Sequence, residues 1–166
     1  MGKESKNPRY IFGDKKGFYK IEHSGLYDFK KILNGLKAKF NELDYFLIGK
    51  EHTETVKPGG KDMKYVWVST REVTEYIKFQ IDITIIVYRQ IDVIVDGKKM
   101  QKGDFIFQFK ASMEKNYKKS FKDTKFGEIQ RHVYEKTIVQ EKLDNSEDLL
   151  EEEAKDLIKI VKENIY

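Results

Sequence analysis

The chain has 166 residues, 39% of them hydrophobic and 36% charged, with a formal net charge of +4. This is the length of one ordinary domain, with enough apolar side chains for a core beneath a heavily charged surface. Cysteine is absent, which excludes disulfides, zinc–thiolate sites, iron–sulfur clusters and a cysteine nucleophile, and makes the cytoplasm the expected compartment.

No apolar run approaches the ~20 residues of a membrane span, and the polar start of the chain leads into no signal-peptide core. Cations predominate in residues 1–50 and 101–143, and acids in 144–166. Lysine supplies nearly all the positive charge; the arginines are Arg9, Arg71, Arg89 and Arg131. Phosphate and base recognition favours the planar fork of arginine, so this excess points first to compositional bias.

Residues 1–9 are polar, contain Pro8 and are expected to fray. Tyr10-Ile11-Phe12 and the run from Phe18 to Ile21 flank Gly13 to Gly17, a pattern that predicts a hairpin. Ser24 then reads as a helix N-cap. Leu26, Phe29, Leu33, Leu36, Phe40 and Leu43 recur at helical spacing with Ile32 beside them, predicting an amphipathic helix over roughly 25–43. Gly35 inside it is unfavourable by about 1 kcal/mol relative to alanine, which marks a close approach by another backbone.

Tyr45 to Val56 reads as a strand, Lys57 to Asp62 as a turn through Pro58-Gly59-Gly60, and Lys64 to Thr70 as a second strand containing Trp67. A long alternation follows. Val73, Ile77, Phe79, Ile81, Ile83, Ile85, Val87, Ile91, Val93 and Val95 are apolar, while Thr74, Lys78, Gln80, Asp82, Thr84 and Asp92 lie between them. Period two predicts one buried and one wet face, with the odd positions inward. Such a run is too long for a single straight strand, so a bend is expected near Tyr88-Arg89-Gln90. Asp96-Gly97 supplies a hairpin turn. Alternation resumes after Gly103-Asp104 with Phe105, Phe107, Phe109, Ala111 and Met113.

Phe126, Ile129, Val133 and Ile138 predict a helix over roughly 127–142. Asn145 or Ser146 would cap a final helix whose stripe runs through Leu149, Leu150, Ala154, Leu157, Ile158, Val161 and Ile165. No linker divides the chain. The expected fold is one α+β domain over 1–166: a single antiparallel, curved sheet of five to seven strands. It packs on an N-terminal amphipathic helix and C-terminal helices in a layout compatible with a helix-grip arrangement.

Catalytic signatures are missing: no phosphate loop, no dinucleotide fingerprint and no nucleophile elbow is present. His23, His52 and His132 form no metal-binding pair. His52 and Glu54 share a strand face beside Glu51, but two ligands do not hold a metal. Asp82 and Asp92 read as solvated carboxylates on the wet face. Accordingly no catalytic residue, metal or cofactor is assigned.

Two binding chemistries stay open. The first is an apolar or aromatic small molecule held between the sheet and the C-terminal helix by a non-catalytic binding module. Its candidate contacts are Tyr65, Trp67, Tyr76, Tyr88 and Phe107, rings with polar tips beside an apolar face. The second is RNA or the ribosome. There, Lys115, Lys118, Lys119, Lys122, Lys125 and Arg131 interleave with Tyr117, Phe121, Phe126 and Tyr134 over residues 110–134, offering cations to phosphates and rings to bases. An enzyme of an unrecognised class is a third alternative. No membrane partner is expected, and oligomeric state is not legible.

Overall fold

A computed structural model describes residues 9–12, 19–115, 117–118, 121–122, 124–136 and 140–166. Its strands are β1 (Arg9–Phe12), β2 (Tyr19–Tyr27), β3 (Phe46–Lys57), β4 (Gly60–Glu72), β5 (Ile77–Val95) and β6 (Lys98–Lys115). Its helices are α1 (Phe29–Glu42), α2 (Lys125–Tyr134) and α3 (Gln140–Lys162). The α+β class and the single antiparallel sheet agree with the sequence.

The sheet runs β1-β6-β5-β4-β3, and β2 also pairs with β6. Both β1 and β2 lie antiparallel along the edge of β6 that β5 leaves open, Arg9 opposite Glu114 and Tyr19 opposite Phe109. The sheet therefore has five positions, the first filled by two strands in line. The expected hairpin between these two segments does not form, because each satisfies a different length of β6. Residues 1–8 and the turn at 13–18 lie outside the described residues; Arg9 belongs to β1.

α1 starts later than the sequence indicates. Ser24 is in β2, its hydroxyl donating to Asp104 at 2.6 Å, and the cap is Asp28, which accepts from the Lys31 amide at 3.0 Å. Phe29, Ile32, Leu36 and Phe40 are buried, whereas Leu33 is partly exposed. Gly35 does mark a close approach: a Cβ there would stand 2.8 Å from Ile160 of α3. The neighbour is a side chain, not a backbone.

α3 begins by Gln140, so Asn145 and Ser146 lie within it, Ser146 buried, and neither caps it. α2 is shorter than expected; Thr124 caps it by accepting from the Gly127 amide at 3.1 Å, and Ile138 lies outside the described residues. Leu150, Ala154, Leu157 and Val161 of α3 are completely buried. Beyond the helix, the end of the chain is tied to the β2–α1 junction. The Asp28 amide donates to Asn164 and the Tyr166 amide to Leu26, both at 2.9 Å.

The period-two stripe holds only as far as Val87. Ile77, Phe79, Ile81, Ile83, Ile85 and Val87 are buried opposite Phe105, Phe107, Phe109, Ala111 and Met113. The expected bend is a β-bulge: Tyr88 faces Asp104, the next pair is Ile91 with Lys102, and Arg89 adopts φ 54°. One extra residue inverts the faces beyond it. Ile91 and Val93 pair with the outward Lys102 and Met100, while Asp92 and Ile94 pair with the inward Gln101 and Lys99. Asp92 thus lies on the face opposite Asp82, contrary to the alternation in sequence.

Among the described residues one charged group sits in the core. Glu153 of α3 is 3% exposed, accepts from the Tyr45 hydroxyl at 2.6 Å and pairs with Arg71 at 2.7 Å. Arg71 also donates to the Leu43 carbonyl at 2.8 Å and lies over the Tyr45 and Phe79 rings. This satisfied network joins α3, β4 and the α1–β3 connection. Among the described residues no helix is long and apolar enough to cross a membrane.

Candidate functional site

The inversion at the bulge shapes a cleft at the N-terminal end of α1. Beyond Arg89, β5 and β6 continue as a two-stranded arm closed by Asp96 and Gly97, with φ 50° and 76°, the left-handed pair of the expected turn. The inner face of this arm looks toward α1. Between them lies a cleft of about 750 Å³, lined by Asp28, Lys30, Lys31, Asn34, Gly35, Ala38, Lys99 and Gln101.

Gln101 anchors the inner corner. It is buried, accepts from the Phe29 amide at 2.9 Å and donates to Asp92 at 3.2 Å. Its amide oxygen ties the arm to α1, and its nitrogen ties β6 to Asp92 of β5 within the arm. Lys99 pairs with Asp92 at 3.2 Å. These two donors, Gln101 foremost, hold the Asp92 carboxyl below the usual carboxylate range. Ile94, directly opposite Lys99 and 70% exposed, adds an apolar side chain to the same face.

The wall is mostly carbon: Gly35, Ala38 and the methylene stems of the lysines. The rim is cationic. Among the described residues Lys30 and Lys31 make no ion pair, and Asp28 is engaged with the Lys31 amide. The site can therefore hold a molecule with an apolar body and an acidic group. Sequence reasoning missed it, because the extra residue in β5 turns Asp92 and Ile94 inward beside Gln101 and Lys99, a register change that no alternation displays.

The ring residues expected to bind a small molecule do not converge. Trp67 is buried, edge-on to the half-buried Tyr65 at 6.3 Å, with the Lys37 ammonium 5.5 Å above its ring. Phe107 is completely buried between Phe105 and Phe109, with centroids 6.5 and 6.1 Å away. Tyr76 lies at the far end of β5 against Phe121 and Tyr134, its hydroxyl bonded to Glu135. Tyr88 points to the outer face.

The basic segment is divided as well. Lys115 ends β6; Lys118 pairs with Glu75 and lies over the Tyr117 ring; Lys122 is exposed; Lys125 begins α2. Arg131 lines a separate hollow of about 530 Å³ with Glu128, His132 and Glu135. Lys119 lies outside the described residues. Of the interleaved rings, Phe121 and Tyr134 pack on Tyr76, while Phe126 is 68% exposed.

His52 and Glu54 share the inner face of β3, as their spacing indicates, with His52 stacked 4.3 Å from Tyr65 and Glu54 paired with Lys61. Glu51 faces the other way and pairs with Lys64. Among the described residues no three His, Asp or Glu side chains are grouped to hold a metal. No protein-family model, curated protein or solved structure matches the chain.

Proposed function

We propose that the chain is a non-catalytic binding module that takes an apolar or aromatic carboxylic acid into the cleft between α1 and the β5–β6 arm. The cleft itself carries the proposal. Its volume of about 750 Å³ falls in the range of small-molecule sites, and carbon walls with a few placed polar groups are their usual lining. The ligand body lies against Ala38, Gly35 and the Lys99 stem, and its carboxylate meets Lys30 or Lys31 at the rim. In this respect the layout is helix-grip-like, a sheet and a helix closing on a ligand, but the helix is α1. Opposite α3 the sheet is occupied by the buried leucines and phenylalanines of the core. RNA contact has less support, since most rings of 110–134 are engaged internally.

Native mass spectrometry of freshly purified protein, then thermal-shift measurements with octanoate, palmitate and 2-naphthoate, tests this. A probe at a hundred times its Kd should stabilise the fold by about 2.7 kcal/mol, a rise of about 5–11 °C. Ala38→Trp, which fills the cleft, should abolish the rise. No shift with any probe, or a shift that survives Ala38→Trp, would overturn it.

A further inference from the structure

The bulge at Arg89 builds a second concavity on the opposite face of the sheet. A left-handed backbone at a side-chain-bearing residue persists only where its surroundings hold it, and here both neighbouring strands are fitted to it. A Cβ on Gly60 of β4 would lie 2.7 Å from the Arg89 carbonyl carbon, and one on Gly103 of β6 would lie 2.8 Å from the Tyr88 oxygen. The Arg89 amide donates to Asp62 at 2.9 Å, closing the bulge against β4.

Registers place Tyr88, Asp62, Asp104 and Ser24 together on the outer face. The Arg89 guanidinium pairs with Asp104, which also accepts from Ser24 at 2.6 Å. Lys57 pairs with Asp62. Around these groups lie two adjoining hollows of about 560 and 380 Å³ that share Gly59, Arg89 and Asp104. Tyr88, 44% exposed, lines the larger and Lys102 the smaller.

We propose that this double hollow is a binding site for a neutral saccharide, separate from the α1 cleft. Asp62 and Asp104 accept hydrogen bonds from hydroxyls, and Arg89 and Lys57 donate to the sugar oxygens. The Tyr88 ring supplies a flat apolar surface for the C–H face of a pyranose. Gly59, where a Cβ would meet nothing within 4 Å, leaves the floor between the two hollows low enough for a ring to reach backbone groups.

Chemistry selects this class over the alternatives. Hydrogen bonds, from Lys57 first at Asp62 and from Ser24 first at Asp104, hold both carboxyls below the usual carboxylate range, so both are anionic at neutral pH. A phosphate would meet two carboxylates whose own cations are already engaged, with only Lys102 at the edge of the smaller hollow to balance them. A metal ion would have to displace Lys57 and Arg89. A neutral polyol needs neither, because each ion pair retains free lone pairs and N–H groups for hydroxyls.

The test is ¹⁵N-resolved NMR of the full chain, titrated at millimolar concentrations with maltose, cellobiose, chitobiose and, separately, inorganic phosphate. At least one disaccharide should move the amides of Gly60, Arg89 and Gly103, and phosphate should not. Tyr88→Ala should weaken that disaccharide about tenfold, the factor one lost ring contact represents. Asp104→Asn should weaken it too. Ala38→Trp in the α1 cleft should leave it unchanged, so the two sites succeed or fail separately. Tyr88 is half-exposed, and unchanged amide spectra elsewhere will show that its variant folds. Silence of the three amides toward every disaccharide, larger shifts with phosphate, or full affinity in Tyr88→Ala would overturn the proposal.

Discussion

Glu153→Leu isolates the energetics of the buried charge network. The carboxylate side chain is 5% exposed and that of its partner Arg71 17%, so removing the acid strands a cation that solvent reaches poorly. It also deprives the Tyr45 hydroxyl of its acceptor. Breaking one side of such a pair is worth about 3–5 kcal/mol, against about 5–15 kcal/mol for the whole stability of a typical domain. At about 2–4 °C per kcal/mol for a chain of this size, Tm should fall by about 6–20 °C. Glu153→Gln keeps an acceptor for Tyr45 but loses the charge, and should lie between the two. Arg71→Met with Glu153→Leu removes both charges and should recover most of the loss, because desolvation is relieved together with the attraction. Glu151→Ala, which breaks the exposed pair with Lys155, is the control and should stay within about 1 kcal/mol of the parent. Urea denaturation of the five proteins measures all of this. If Glu153→Leu is as stable as the control, or the double variant is no better than the single, the network does not carry the energy assigned to it.

Leu36→Ala should destabilise by about 2–5 kcal/mol, since Leu36 is completely buried. Lys37→Ala, which removes only the ammonium above Trp67, should lose at most about 1 kcal/mol; equal midpoints in urea would contradict the α1 packing. Burial, before any other cause, raises the hydroxyl pKa values of Tyr27, Tyr45 and Tyr76 above the ordinary tyrosine value. Their contribution is therefore fully present below about pH 10 and is lost above it, because the unfolded chain ionises first. Denaturation midpoints should fall from pH 9 to pH 11, with a smaller slope in Tyr45→Phe; a flat profile would count against burial of these hydroxyls.

Most of the architecture was legible because it rests on local rules. The buried run from Ile77 to Val87, the α1 stripe, the bend near Arg89 and the Asp96-Gly97 turn follow from periodicity and turn chemistry. What failed was non-local. Ser24 has every local property of a cap, yet it lies in β2 because β6 offers it a strand partner and Asp104 an acceptor. Asp92 alternates correctly with its neighbours, yet faces inward because one residue is added opposite β6. The two hollows escaped for the same reason: Lys99, Ala38, Asp62 and Asp104 are distant in sequence, and only register brings them together. The rings of Tyr65, Trp67, Tyr76, Tyr88 and Phe107 are individually suited to a pocket, but the sheet distributes them over two faces and opposite ends.

The twelve-residue β3 is the last strand of the sheet, its outer edge without a strand partner among the described residues, with Phe46 69% and Val56 71% exposed. A straight, apolar margin of that length would template the addition of further chains. Here Gly49 faces Trp67 and Glu51 faces Val66, so Lys50 has no counterpart and the strand turns over midway. An incoming strand matched to Phe46 and Ile48 would be out of phase with Val56, and it would also meet Lys50, Glu51, Glu54 and Lys57. Resistance to fibrillar self-association is thereby concentrated in a single surplus lysine. Were Lys50 instead paired in a regular ladder, the even-numbered Phe46, Ile48 and Val56 would fall on one face, and a divided edge would become a continuous apolar one.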